Sequence, residues 1–312
     1  MENQQPVEDR EARIQSIVAT LASHFERSRD SIVWIGSGLS IGSGYPDWPE
    51  AIKQLSEACI TEKADIPPSS VADDLLEWAE QCKAANREEY VKTLGRIFGA
   101  SPKVIRRTYS LISACPFRFL VTTNFDPCLE SVCGRSDSVI SYPDMSLFRE
   151  GSSHTYVYLH GKARWGTKVN AAKLVLAKSD FAVAYSHNSS LLPGALEQLV
   201  IRHRILFVGC RLGEPVLRET FKRIKEIQER FTSIPSTKKT ILLADAPDEE
   251  IAKREAKDME SLGIDILRYP LCEGDESPTS DRHRLLDEVW ERVWLKLREQ
   301  SDPYSQEGGL PS

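Results

Sequence analysis

Ile32-Val33-Trp34-Ile35-Gly36-Ser37-Gly38-Leu39-Ser40 reads as an apolar strand that stops at a glycine turn. Gly36 and Gly38 fall where the backbone must turn sharply, and residues without a Cβ let it approach a ligand closely and expose N–H donors. Ser37 and Ser40 add hydroxyl donors, so the segment suits the pyrophosphate of a dinucleotide at the end of a sheet strand. A tight strand-to-helix turn with no ligand would call for the same glycines.

Outward from this turn the pattern alternates. An amphipathic helix over 11–29 precedes the first strand, with Ile14, Ile17, Val18, Leu21 and Phe25 at spacings of three and four. Helical segments follow over 49–60, 71–83, 87–98 and 102–113, punctuated by Pro67-Pro68 and by the Gly99 to Pro102 turn. Strand signals return over 117–122, 155–159, 174–177, 205–208, 240–243 and 264–267, with helices between most of them. The expected fold is α/β, a doubly wound, mainly parallel Rossmann-like sheet carrying a helical module inserted at about 49–114. A last helix over 282–297 lines up Leu285, Leu286, Val289, Trp290, Val293, Trp294 and Leu297, and a disordered tail is expected over 301–312. One domain over 1–300 accommodates all of this.

Composition excludes several classes of function. Forty basic and 46 acidic residues give a net charge of −6 with no long Lys/Arg block, which argues against direct nucleic-acid binding. No apolar run approaches the roughly 20 residues that cross a bilayer, and the polar, acidic start is no leader, so a soluble cytoplasmic protein is expected. The seven cysteines are scattered without a C-x-x-C pair, which supports neither a disulfide framework nor a zinc ribbon, and no metal ligand is assigned.

Four further islands carry polar residues to strand ends. Gly44-Tyr45-Pro46-Asp47-Trp48 continues the glycine turn; Trp48 suits either a ligand cover or a buried staple for the next helix. Thr123-Asn124-Phe125-Asp126 follows a strand, where ligands bind in open α/β sheets, although Asn124 and Asp126 also fit a helix cap before Pro127. His160-Gly161 ends another strand and sets a group with an ordinary pKa near 6.5 beside a turn, able to exchange protons at neutral pH or to serve the fold. Gly209-Cys210-Arg211-Leu212-Gly213-Glu214-Pro215 leaves a fourth strand, and Arg211 suits a phosphate contact or a helix cap. Asp245, after the next strand, is a ribose or adenine contact or an ordinary loop residue.

In order and character these islands resemble the sirtuin signatures, from about Ser31 to Asp245. The resemblance implies an NAD site in which Gly36, Ser37, Gly38, Ser40, Asp47, Trp48, Thr123, Gly209, Cys210 and Arg211 bind the cofactor. It implies that Asn124 holds the ribose and a water near the anomeric carbon, that Asp126 orients the nicotinamide carboxamide, and that His160 acts on a ribose hydroxyl. Three departures stand out. Thr123 replaces the family's Gln, Pro49 its Arg, and the stretch after His160 lacks the four zinc-binding cysteines of the deacylases. The chain is thus most similar to the bacterial sirtuin-like effectors of antiphage defence, which hydrolyse NAD to ADP-ribose and nicotinamide. That likeness implies abortive infection through NAD depletion, a homo-oligomer, and a separate activator such as a HerA-type ATPase. No metal is needed, because the pyridinium is already a cationic leaving group. A protein deacylase and a non-catalytic NAD or ADP-ribose sensor are the competing readings.

Overall fold

The computed structural model describes residues 5–60, 72–135, 137–145, 154–163, 173–231, 236–271 and 283–301. Its strands are β1 (Ser31–Ile35), β2 (Phe119–Thr122), β3 (Ser138–Ser141), β4 (Thr155–Tyr158), β5 (Arg204–Val208), β6 (Lys239–Ala244) and β7 (Asp265–Tyr269). They form one sheet in the order β3-β4-β2-β1-β5-β6-β7, and every neighbouring pair is parallel. Parallel strands need covered faces, and period-two alternation sends successive side chains to opposite layers. Val33 and Ile35 pack in a cluster with Leu21 of α1 (Gln5–His24), with Phe25 just after that helix, and with Val289, Trp290 and Val293 of α12 (Arg284–Ser301). Ile32 and Trp34 pack on the other face with Leu196 of α9 (Leu192–Arg202), Phe221 of α10 (Pro215–Arg230) and Met259 of α11 (Glu249–Ser261).

Between β1 and β2 lie α2 (Ser37–Ile41), α3 (Trp48–Cys59), α4 (Ala72–Ala85), α5 (Arg87–Phe98) and α6 (Arg107–Ser113). Helices α3 to α5 build a third apolar cluster around Ile52, Leu55, Ala79, Tyr90 and Leu94. Asn86 starts α5 by accepting the Glu89 N–H at 3.1 Å, a capping interaction. Phe125, Ala163, Leu174 and Leu176, which lie in loops beyond β2 and β4, belong to the same cluster. The module is also pinned to α8 (Lys178–Ala184), where Lys83 meets Asp180 at 2.6 Å and Glu80 accepts the Ser179 N–H at 2.7 Å.

The sequence expectations fail at two strands. Residues 174–177 form no strand; they are a buried extended segment in which the Val175 N–H donates to the His160 carbonyl and the Ala177 N–H to Asp180. Four apolar residues in a row suit such a segment as well as a strand. The sheet instead gains β3 at its edge, a short and partly exposed strand that the apolar pattern does not mark. The helix expected over 102–113 begins only at Arg107. Pro67, Pro68, Cys272 and, apart from Ser301, the tail lie outside the described residues.

Trp290 is fully buried and meets Phe25 edge-on with ring centroids 6.2 Å apart. Trp290→Ala is expected to lower stability by roughly 3–5 kcal/mol through the cavity it leaves. Among the described residues the indole N–H has no hydrogen-bond partner, so Trp290→Phe should cost clearly less. Urea denaturation of the two variants provides the comparison.

Candidate functional site

The parallel strands share one carboxyl edge, and the sequence islands leave the sheet from it. The chain passes from β1 to β2 on one side and later returns to β5 on the other, so the β1/β5 junction is the topological switch point of the sheet. Ile35 is in register with both Thr122 and Val208, which brings Gly36, Thr123 and Gly209 out of the sheet side by side.

Asn124 is held at this edge through both its backbone and its side chain. The buried Thr122 hydroxyl donates to the Ile35 carbonyl at 2.8 Å and accepts the Asn124 backbone N–H at 3.0 Å. The Asn124 side-chain amide donates to Ser40 Oγ at 2.9 Å. Ser40 has one proton, and it goes to Asp126 Oδ2 at 2.7 Å. Tyr109 of α6, 3.0 Å away, therefore donates to Ser40 as well, and burial raises its phenol pKa well above the usual value. Among the described residues no donor reaches Asn124 Oδ1, and the side chain is partly exposed. The amide nitrogen is fixed and the amide oxygen is presented.

Asp126 has the opposite surroundings. It is buried, with Oδ2 taken by Ser40 and Oδ1 accepting the Cys128 N–H at 3.0 Å, just ahead of α7 (Cys128–Ser131). Its carboxylate holds Ser40 and the turn, so contact with a nicotinamide carboxamide is not the role its geometry favours.

The glycine turn also differs from expectation. The Gly36 N–H donates to the Val208 carbonyl at 2.9 Å and the Gly38 N–H to the Gly209 carbonyl at 3.0 Å. These donors are engaged within the protein, which corrects the expectation that they face a phosphate. Glycine is needed because two backbones meet: a Cβ on Gly36 would stand 2.4 Å from the Gly209 carbonyl oxygen, and Gly209 itself has φ +67°. Ser37 is exposed beside this contact.

The remaining candidates divide between ligand-facing and structural places. Asp47 caps α3, accepting the Glu50 N–H at 2.9 Å. Trp48 packs between the sheet cluster and the module cluster, its indole N–H without a partner among the described residues. Cys210 is buried with Sγ 3.3 Å from the Trp34 carbonyl, and burial drives its thiol pKa well up, so it faces the strands. Arg211 is exposed. Asp245 is held by Arg13 of α1 at 2.8 and 3.0 Å.

His160 lies two residues beyond Tyr158, which is in register with Thr122, so it leaves the edge level with Asn124. Its Nε2 is 2.7 Å from the Tyr185 hydroxyl, and Phe181 and Tyr185 flank its ring at 5.1 and 5.9 Å. Burial lowers its pKa from 6.5 to about 3, which corrects the expectation of a proton exchanger titrating near neutrality. His24, which touches the Ile32 carbonyl at 3.0 Å, is likewise lowered by burial to about 4.

Both imidazoles are neutral when folded and take up protons near pH 6.5 when unfolded. Their contribution is complete above about pH 6.5 and is lost as the pH falls toward the folded values. Stability is expected to drop by about 1.4 kcal/mol per pH unit for each histidine below that point. Urea midpoints between pH 7.5 and 5 test this; equal midpoints would mean that both rings are solvated.

One residue that the sequence did not single out joins the group. Glu214, ahead of Pro215, is partly exposed and leaves the carboxyl edge beyond β5. Burial raises the pKa of its carboxyl above the usual carboxylate value.

Among the described residues no group of three His, Cys, Asp or Glu side chains is arranged to hold a metal ion, and no helix is long and apolar enough to cross a membrane. Residues 118–267 match the family described as the SIR2-like domain. Over 219 residues the chain is 23% identical to Defense-associated sirtuin 2 of Bacillus subtilis, a match covering 69% of this chain and 21% of that protein. The chain thus spans about a fifth of that relative's length. Over residues 118–267, which run from the second strand of the sheet into its last and are just under half of the chain, the protein is similar to the SIR2-like domain family.

Proposed function

We propose that the chain hydrolyses NAD at the nicotinamide–ribose bond, giving ADP-ribose and nicotinamide, and that it serves as a defence effector by depleting NAD. The observation that carries this reading is Asn124, held from both backbone and side chain, with its amide oxygen presented at the carboxyl edge beside the switch point. A fixed dipole at that place suits the positive charge that develops on the ribose as the C–N bond breaks. The bond's electron pair leaves with the pyridine nitrogen, water adds to the anomeric carbon, and its proton passes to solvent. Asp126, through Ser40, positions Asn124. His160, neutral and paired with Tyr185, orders the water by hydrogen bonding.

The name of the Bacillus subtilis relative supports the defence role. An enzyme that destroys NAD must be silent until needed, so activation by a separate partner, with assembly into a homo-oligomer, belongs to the same reading.

The test is incubation of the purified chain with NAD, with and without an acetyl-lysine peptide, in buffer and in lysate of phage-infected cells. Peptide-independent release of ADP-ribose is the expected result. O-acetyl-ADP-ribose would establish a deacylase instead, and NAD binding without product in any tube would establish a sensor.

A further inference from the structure

Helix α6 is seven residues long, and Arg106 at its N-cap position does not cap it with its side chain. The cap comes from the last helix. Asp287 of α12 accepts the Thr108 N–H at 2.9 Å and the Thr108 hydroxyl through the same Oδ1, and Arg106 Nε lies 3.5 Å from that oxygen. The Arg106 guanidinium also donates to the His283 carbonyl, just ahead of α12, at 2.7 Å. A helix this short does not hold itself, so an acceptor at its first N–H groups fixes where it starts and how it is turned.

Tyr109, the next residue, carries that placement to the sheet edge. Its ring is buried in the cluster that also holds Leu286, Val289 and Trp290, and its hydroxyl lies 3.0 Å from Ser40 Oγ. A serine oxygen has one proton and two lone pairs. Asp126 takes the proton, while the Asn124 amide and Tyr109 fill the lone pairs, so this oxygen has no second way of bonding. Ser43 Oγ accepts the Arg106 N–H at 3.3 Å, a second bond from the start of α6 to the same short stretch of chain.

We infer that Tyr109 and Asp287 are positioning residues for Asn124. Asp287 sets the first turn of α6, and Tyr109 passes that setting through Ser40 to the amide whose oxygen serves the ribose. The inference rests on the NAD reading above for its chemistry. Neither residue touches substrate; each acts through the next.

Steady-state kinetics and NMR of the full chain, labelled isotopically at asparagine, test it together. Tyr109→Phe, which keeps the ring, and Asp287→Ala should each lower kcat for NAD cleavage by roughly 3–10-fold, the size of one neutral hydrogen bond, with KM unchanged. Asp287→Asn still offers a capping oxygen and should restore the wild-type kcat. The double variant of Tyr109→Phe and Asp287→Ala should be no slower than the slower single one, because both act along one line; losses that multiply would overturn that line. The Asn124 side-chain amide signal, identified by its loss in Asn124→Ala, should shift in both single variants and return in Asp287→Asn. Thr108→Val removes one donor to Asp287 and serves if Asp287→Ala does not fold. A purely structural role would lower urea midpoints and leave kcat and the amide signal where they are, and that result in folded variants would overturn the inference. A wild-type chain that releases no ADP-ribose in any tube would overturn the NAD reading, and the amide signal would still decide whether Asp287 reaches Asn124.

Discussion

Asn124→Ala should lower NAD cleavage by roughly 10²–10³-fold, the usual consequence of removing one preorganised dipole from a reacting centre. The fold should survive, because Thr122 still bonds the Ile35 carbonyl and the residue 124 N–H, neither of which needs the side chain. The loss should appear in kcat rather than KM, since the amide oxygen acts on charge that exists only as the bond breaks. Ser40→Ala sharpens the argument. It leaves Asn124 in place but removes the hydroxyl linking Asn124, Asp126 and Tyr109. If position matters, this variant should also lose activity, with circular dichroism unchanged. Normal turnover by folded Asn124→Ala would remove the residue from the mechanism.

The second large effect concerns the seam between the β1 and β5 loops. Gly36→Ala would place a Cβ 2.4 Å from the Gly209 oxygen and 2.7 Å from the Cys210 Cα. These are backbone atoms of a loop that leaves the same sheet, so relief requires the loops to separate and the Gly36–Val208 hydrogen bond to break. A cost of about 3 kcal/mol or more is expected, at the upper end for overpacking. Gly194 supplies the contrast: it sits in the first turn of α9 with nothing within 4 Å of an added Cβ. Gly194→Ala should be neutral or stabilising by up to about 1 kcal/mol. Urea denaturation of both variants separates a steric effect from a general intolerance of glycine replacement.

The sheet was legible because buried parallel strands are written as continuous apolar runs, and Ile32 to Ile35 or Ile205 to Val208 have few other uses. The edge strand β3 was not, since Ser138-Val139-Ile140-Ser141 has only two apolar residues and little to bury them against. At the site, spacing marked Asn124 and His160 but not their surroundings. Asn124 depends on Ser40, 84 positions earlier, and His160 owes its neutral state to burial beside Phe181 of α8 and Tyr185 just past that helix, which reads as ordinary surface-to-core packing. The glycines show the complementary difficulty. Sequence reveals that something passes close to Gly36 and Gly38, and only the fold shows that it is the protein's own backbone.

Phe125 stands one residue beyond Asn124, yet its ring belongs to the core of the helical module and meets Phe98 of α5 at 5.2 Å. The module is therefore no door on a hinge. To swing it clear of the sheet would unseat Phe125 and carry the neighbouring asparagine out of alignment, so module and sheet edge keep their places together.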